Sequence, residues 1–207
     1  MMRTGERREG AQVAAGVPLQ IVAATSLEYW AARWMLGRAD VVRGGVGLPN
    51  WRRAPDGAMV VVCGLAGGLR ADLSPGTVVI PREVGLPDGR IIGCDATLVD
   101  ALLSSARALG FAPEMGPLLT APALVTGTQR HHWSKQGFVA ADMETGLLAA
   151  SGVRVAAVRV ILDSANRGIA EEWLRPGSAA LRPALWGELF WLCRAAPSYS
   201  LRAARVL

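Results

Sequence analysis

Met59–Leu69 reads M-V-V-V-C-G-L-A-G-G-L, an unbroken apolar run that passes straight into a glycine-rich segment. A strand that is apolar at every position is buried on both faces, and such strands belong to parallel sheets covered by helices. The expected fold class is therefore α/β. Gly64–Leu69 predicts a loop, because Pro75 and Gly76 turn the chain into another strand, Thr77–Pro81, with no helix between. A strand, a glycine turn and a strand describe a loop that lines a pocket. The G-x-G-x-x-G dinucleotide fingerprint is not met, since no helix with an acidic residue ~20 positions further on follows.

Other segments alternate in the same manner. Val153–Leu162, V-R-V-A-A-V-R-V-I-L, is the longest β-branched run and predicts a core strand. Period-two alternation puts Arg159, Ile161 and Asp163 on one face, with Arg159 and Asp163 ~13 Å apart at ~3.3 Å per residue. Phe138–Ala141 predicts a strand that delivers two acids, Asp142 and Glu144, with Met143 between them and an Ala/Leu helix after. Burying ionised carboxylates without partners costs several kcal/mol. Either Asp142 caps the helix or the pair holds a hydroxylated ligand. Leu19–Ala24 is the first strand, and Ser26 is the expected N-cap of a helix ending at Gly37. Glu28, in its first turn, either complements the helix dipole or faces a ligand at the carboxyl edge of the sheet. Asp40–Gly47 is a short strand running into a glycine turn whose N–H groups can approach a phosphate or sugar. Asp95 caps an amphipathic helix, Ala96–Leu109. Leu118–Val125 is a strand interrupted by Pro122. His131 and His132 read as surface helix residues. Residues 166–176 read as a loop with Glu171 and Glu172, and 179–207 as helix with Trp186, Phe190 and Trp191.

At 207 residues and 51% hydrophobic, the chain builds one sizeable core. Residues 1–16 are expected to be a flexible leader and 17–207 the domain. The net charge is +5, but the basic residues form no stripe and interleave with no aromatics, which argues against nucleic acid as a partner. A basic face near an anionic membrane surface stays open as peripheral membrane contact. Cys63, Cys94 and Cys193 are odd in number, far apart and without metal-ligand spacing, so a reduced cytoplasmic protein with no metal is expected. No run approaches the ~20 apolar residues of a spanning helix.

Five motifs in one order carry a family resemblance. They are Glu28 in the helix after the first strand, the Gly45-Val46-Gly47 turn, the G-x-A-G-G-L segment followed by P-G-T-V-V-I, the Asp142-Met143-Glu144 triplet, and Arg159 to Asp163 at a strand end. Over roughly residues 19–166 the chain resembles the nucleoside phosphorylase superfamily, especially its methylthioadenosine/S-adenosylhomocysteine nucleosidase branch. That resemblance implies a shortened, single-domain, three-layer fold with a mixed central sheet flanked by helices. It implies cleavage of the N-glycosidic bond of a 5′-substituted adenosine-type nucleoside with release of adenine. No cofactor is implied; inorganic phosphate or water is the co-substrate, and the assembly is a homodimer. By the same resemblance Glu144 accepts hydrogen bonds from the ribose hydroxyls, Met143 packs on the sugar, and Asp163 protonates the purine N7 from a carboxyl whose pKa burial raises. Glu28 activates the nucleophile with Arg159 beside it. Gly64, Gly67, Gly68, Leu124 and Val125 contact the nucleoside with Asp142 nearby, while Gly45, Gly47 and Arg43 form the phosphate or nucleophile loop.

Two departures stand out. Leu65 occupies the place where the family has a Ser or Thr that meets the nucleophile, and an isobutyl group donates no hydrogen bond. Leu162 occupies the place before Asp163 where a serine is usual. Shortened elements imply a more open pocket and an apolar 5′ substituent. The compact hopanoid-associated phosphorylases share this size, which points to a lipid-tailed nucleoside such as adenosylhopane. Two other readings are a non-catalytic nucleoside- or lipid-binding protein on the same fold, and a generic α/β phosphate-ester or dinucleotide protein.

Overall fold

The computed structural model describes residues 17–37, 39–52, 54, 56–164 and 186–207, the side chains of 186–190 excepted. The expected leader, the loop with Glu171 and Glu172, and the side chains of Trp186 and Phe190 lie outside the described residues. The elements in chain order are β1 (Leu19–Ala23), α1 (Ser26–Leu36), β2 (Asp40–Arg43), β3 (Met59–Gly68), β4 (Val78–Val79), β5 (Glu83–Gly85), β6 (Ile91–Gly93) and α2 (Ala96–Ala108). They continue as β7 (Leu118–Thr120), α3 (Gly127–Lys135), β8 (Ala140–Asp142), α4 (Thr145–Ala150), β9 (Arg154–Asp163) and α5 (Trp186–Val206).

Everything in the sheet is referred to β3. Along one edge β9 runs parallel to it from Met59 to Gly67. Its other edge is shared: β1 pairs in parallel with Met59–Val62, and β8 pairs antiparallel with Gly67 and Gly68. The sheet then extends as β2-β1-β3-β8-β7-β5-β6, with β4 antiparallel to β9. The mixed sheet flanked by helices agrees with the expected fold class.

The apolar run of β3 does what an all-apolar strand must. Met59, Val61 and Cys63 enter one core with α1, α2 and the end of α5, whereas Val60, Val62 and Ala66 enter a second core with Leu148 and Ala149 of α4. Strand β9 divides in the same way, Ala156, Val158 and Val160 to the first core and Val155, Ala157 and Ile161 to the second. Alternation across a doubly covered sheet gives the three layers.

Several expectations need correcting. Gly64–Gly68 is not a loop: β3 continues through it, because β9 supplies backbone partners along the whole length. The N-cap of α1 is Thr25, not Ser26; its side chain accepts from the Glu28 N–H, and Glu28 reaches back to the Thr25 N–H at 2.8 Å in a capping box. The two later strands are shorter than their apolar runs, Leu118–Thr120 stopping before Pro122 and Val78–Val79 before Pro81. Between Ala66 and Gly67 the register with β9 slips, so that Ala66 faces Ile161 but Gly67 faces Asp163. Leu162 is the extra residue of this bulge, which breaks the two-residue stepping expected from Arg159 to Asp163. His131 and His132 are exposed, as expected.

Candidate active site

The carboxyl ends of β1, β3 and β9, which run parallel, converge on one end of the sheet, and β8 brings its own end to the same place. There a cavity of about 360 Å³ is lined by Glu28, Val46, Leu65, Gly67, Leu124 and Asp142–Glu144, closed further by Leu162, Asp163 and Leu192. Residues far apart in sequence, from Glu28 to Leu192, thus share one wall. The three acids singled out from the sequence, Glu28, Glu144 and Asp163, all reach this cavity and are all buried.

Each acid is held by a different element. Glu28 accepts from the Leu65 N–H at 2.6 Å with one oxygen, and from the Thr25 N–H and hydroxyl, both at 2.8 Å, with the other. The capping box that opens α1 therefore also clamps the glycine segment of β3. Gly64 makes room for this: a Cβ there would fall 2.5 Å from the Glu28 Cδ and 3.1 Å from the Arg159 Nη1.

Arg159 is completely buried and gathers the acids of the D-M-E triplet. Its Nη2 donates to Asp142 at 2.5 Å, to Glu144 at 3.0 Å and to the Thr145 hydroxyl at 3.3 Å. A buried guanidinium tolerates loss of water only when carboxylates surround it. Burial by itself would lower the Arg159 pKa, but Asp142, Glu144 and Glu28 outweigh it and raise it, so the cation is fixed. Asp142 also accepts from the Thr120 hydroxyl at 2.5 Å and from the Thr145 N–H at 3.1 Å. It thus caps the start of α4 and anchors Arg159, although Glu144 occupies the N-cap position.

Glu144 also accepts from the Gly47 N–H at 3.1 Å and from the Met143 N–H at 3.4 Å. Gly45 and Gly47 have φ of 79° and 71°, the left-handed turn that glycine favours and that aims this amide at the acid. Burial pushes the Glu144 carboxyl above its ordinary range; Arg159 pulls it back, Asp142 pushes it up again, and the Gly47 N–H lowers it, leaving a net rise.

Not every expected contact gathers here. Arg43 is exposed and donates to the Ser26 hydroxyl at 2.8 Å. Gly45 packs against Pro49 and Asn50, and Gly47 gives its N–H to Glu144, so the glycine turn supports an acid instead of standing open to an anion. Leu124 lines the cavity, and Leu124 and Val125 line a small recess beside it with Met143. Gly68 lies behind the wall, its Cβ position 3.0 Å from the Asp163 carbonyl oxygen.

Two residues of the site, Arg130 and Thr120, were not legible as such in the sequence. Arg130 of α3 is buried and pairs with Asp163, donates to the Gly68 carbonyl at 3.1 Å and to the Val125 carbonyl at 2.9 Å. In the sequence it stands among Gln129, His131 and His132, a polar run with no periodic apolar face to mark an inward position. Thr120 was likewise hidden inside an apolar strand. Its hydroxyl both donates to Asp142 and accepts from the Gly146 N–H at 2.7 Å.

A search of curated protein sequences gives no match. Among solved structures the fold is similar to the 5′-methylthioadenosine/S-adenosylhomocysteine nucleosidase of Helicobacter pylori, at 14% identity over 91% of this chain and 94% of that one, with a TM-score of 0.68. It is similar to the enzyme of the same name from Neisseria meningitidis in complex with methylthio-immucillin-A, at 16% identity over 91% and 95%, with a TM-score of 0.69. Futalosine hydrolase of Helicobacter pylori is another such structure, at 14% identity over 91% and 94%, with a TM-score of 0.67. Identities this low speak for the fold. The sequence itself matches the family model of the phosphorylase superfamily over residues 41–180, most of the chain, and the chain belongs to that superfamily.

Proposed function

We propose that the protein is an enzyme that cleaves the N-glycosidic bond of a 5′-substituted adenosine-type purine nucleoside and releases adenine. The observation that carries this reading is the convergence of Glu28, Glu144 and Asp163 on one cavity that also presents Met143 and Leu124. Breaking a C–N glycosidic bond develops an oxocarbenium-like sugar and a basic purine anion. A carboxylate near the sugar hydroxyls, another beside the nucleophile and a carboxyl at the base answer those three needs. In this reading Glu144, paired with Arg159, accepts from the ribose hydroxyls; Glu28 orients the nucleophile; and Asp163 serves the purine N7. Acid and base contributions of this kind are each worth ~10²–10⁴ in rate.

Water is the nucleophile we favour. Several groups that could greet a phosphate are engaged elsewhere. The Leu65 N–H bonds Glu28, the Gly47 N–H bonds Glu144, Arg159 Nη2 binds carboxylates and Arg43 bonds Ser26. A dianion brought beside Glu28 and Glu144 would meet like charge in a site screened poorly by solvent.

The 5′ substituent is proposed to be apolar. Val46, Leu65, Leu124, Leu162 and Leu192 line the cavity around the acids, and no polar side chain among them would reward a charged tail. An adenosine with a lipid tail, as in adenosylhopane, fits that lining, and the exposed Trp30 and Trp34 of α1 suit contact with a membrane surface. A homodimer is part of the same proposal. No helix of the described residues is long and apolar enough to cross a membrane.

The test is mass spectrometry after incubation with a panel of 5′-substituted adenosines, from methylthioadenosine to a long-chain alkyl analogue, with and without phosphate. Adenine and free ribose derivative are expected at equal rates in both buffers. A ribose 1-phosphate product would overturn the choice of water, and tight binding of the whole panel with no adenine released would overturn the enzyme.

A further inference from the structure

Arg130 is the one buried residue of α3, a helix whose other inward contact is the half-buried Trp133 against Phe138. Only 3% of it is exposed, and its guanidinium is divided among three acceptors on three segments: Nε to the Val125 carbonyl, Nη1 to the Gly68 carbonyl and Nη2 to Asp163. Stripping water from an arginine is unfavourable unless each donor finds a partner, and an apolar residue at this place would anchor α3 without that penalty. The planar fork, by contrast, fixes the direction as well as the distance of what it binds. Asp163 receives such a direction from Arg130. It follows the bulge at Leu162, where the regular stepping of β9 no longer determines how its side chain points. Leu162 itself offers no hydrogen bond. Opposite the acid stands Gly67, whose missing Cβ would lie 3.2 Å from the Asp163 Oδ1 and 3.6 Å from the Arg130 Nη2, so the pair occupies space that a side chain would claim.

We infer that Arg130 is the positioning residue that aims the Asp163 carboxyl at the purine, by tying it to the Val125 segment and to the end of β3. The inference rests on the proposed role of Asp163 toward the base. Arg130 takes Oδ2, and Oδ1 lies on the side of Gly67. The same guanidinium sets the Val125 backbone, so the acid and the segment expected to meet the base are held in mutual register. Arg130 does not touch the substrate in this scheme; it acts through Asp163.

The experiment compares Arg130→Gln, Arg130→Ala and Asp163→Asn with the natural chain. It follows adenine release from methylthioadenosine, adenine affinity by calorimetry and thermal melting. Arg130→Gln is expected to stay folded, to lose about 10²-fold in kcat, the effect of misplacing a reacting group by about 1 Å, and to change KM little. It should bind adenine about 10-fold more weakly, which serves as the measure should methylthioadenosine prove a poor substrate. Millimolar guanidinium should restore part of the lost rate in Arg130→Ala, and urea should not. Unchanged kcat and adenine affinity in a folded Arg130→Gln would overturn the inference. So would losses in both variants that follow the fall in melting temperature and do not respond to guanidinium. Full activity in Asp163→Asn would instead remove the underlying role of Asp163, and is read separately from either Arg130 variant.

Discussion

Replacing Gly64 by alanine isolates the position of Glu28 from its chemistry. The added Cβ would lie 2.5 Å from the Glu28 Cδ, with Oε1 closer still. Carbon atoms settle near 3.5–4.0 Å, so the carboxylate must retreat by about 1 Å. Its retreat is opposed by the 2.6 Å bond from the Leu65 N–H and the two 2.8 Å bonds from Thr25. Arg159 Nη1 at 3.1 Å from the new methyl closes the other direction. Giving up one bond to a charged acceptor costs roughly 1.5–3 kcal/mol, and damaging the capping box adds about 1 kcal/mol. For a chain of this size that corresponds to a fall in melting temperature of roughly 5–15 °C, at about 2–4 °C per kcal/mol. Misplacing a reacting group by about 1 Å is worth about 10²-fold in rate. The assay is adenine release by a folded Gly64→Ala variant, alongside thermal melting. Gly93→Ala is the control, since a Cβ there meets nothing within 4 Å. A Gly64→Ala protein that melts with the natural chain and releases adenine at the same rate would refute both the clash and the placement of Glu28 beside the nucleophile.

Two further outcomes are expected. The net rise in the Glu144 pKa, caused first by burial, means that its carboxylate is lost on acidification at a pH above the ordinary Glu range. A protonated Glu144 donates where it should accept, so kcat/KM should fall with an acid limb displaced upward, and Glu144→Gln should show low activity without that limb. By the same sign, the contribution of Glu144 to stability is greatest below its unfolded pKa and is lost as pH rises through its folded value. Arg159→Met should destabilise the fold by about 3–5 kcal/mol, because Asp142 and Glu144 would remain buried without their cation. Urea titration measures this, and the loss should shrink when Asp142→Asn is added. An additive double variant would argue against the pair.

Part of this molecule could be read from the order of its residues. Continuous apolarity in Met59–Cys63 and Val155–Val158 requires a doubly covered sheet, because strands with no polar face can be shielded only from both sides. Helix α2 was marked by Asp95 and by its regular apolar face, both local signals. The acids were conspicuous for the same reason: Glu28, Asp142, Glu144 and Asp163 interrupt apolar surroundings that would reject them without compensation.

Thr25 beside Glu28 and Thr145 beside Asp142 are local partners, but the rest of what compensates the acids lies far away in the chain. Leu65 reaches Glu28 from a strand, Gly47 reaches Glu144 from a turn and Arg130 reaches Asp163 from helix α3, through donors whose direction is set by how these segments pack. The glycine segment at 64–68 looks like a loop by composition and becomes strand because β9 and β8 satisfy its amides. Leu162 looks like one more core residue and becomes a bulge because β3 and β9 fall out of step beside it. Sequence alone determined which layers the fold must have and which carboxylates it must accommodate, since burial and periodicity are properties of neighbours along the chain. Only the tertiary structure decided which cation and which amide meet each acid, since a hydrogen bond requires a distance and a direction that separate segments acquire only when they pack.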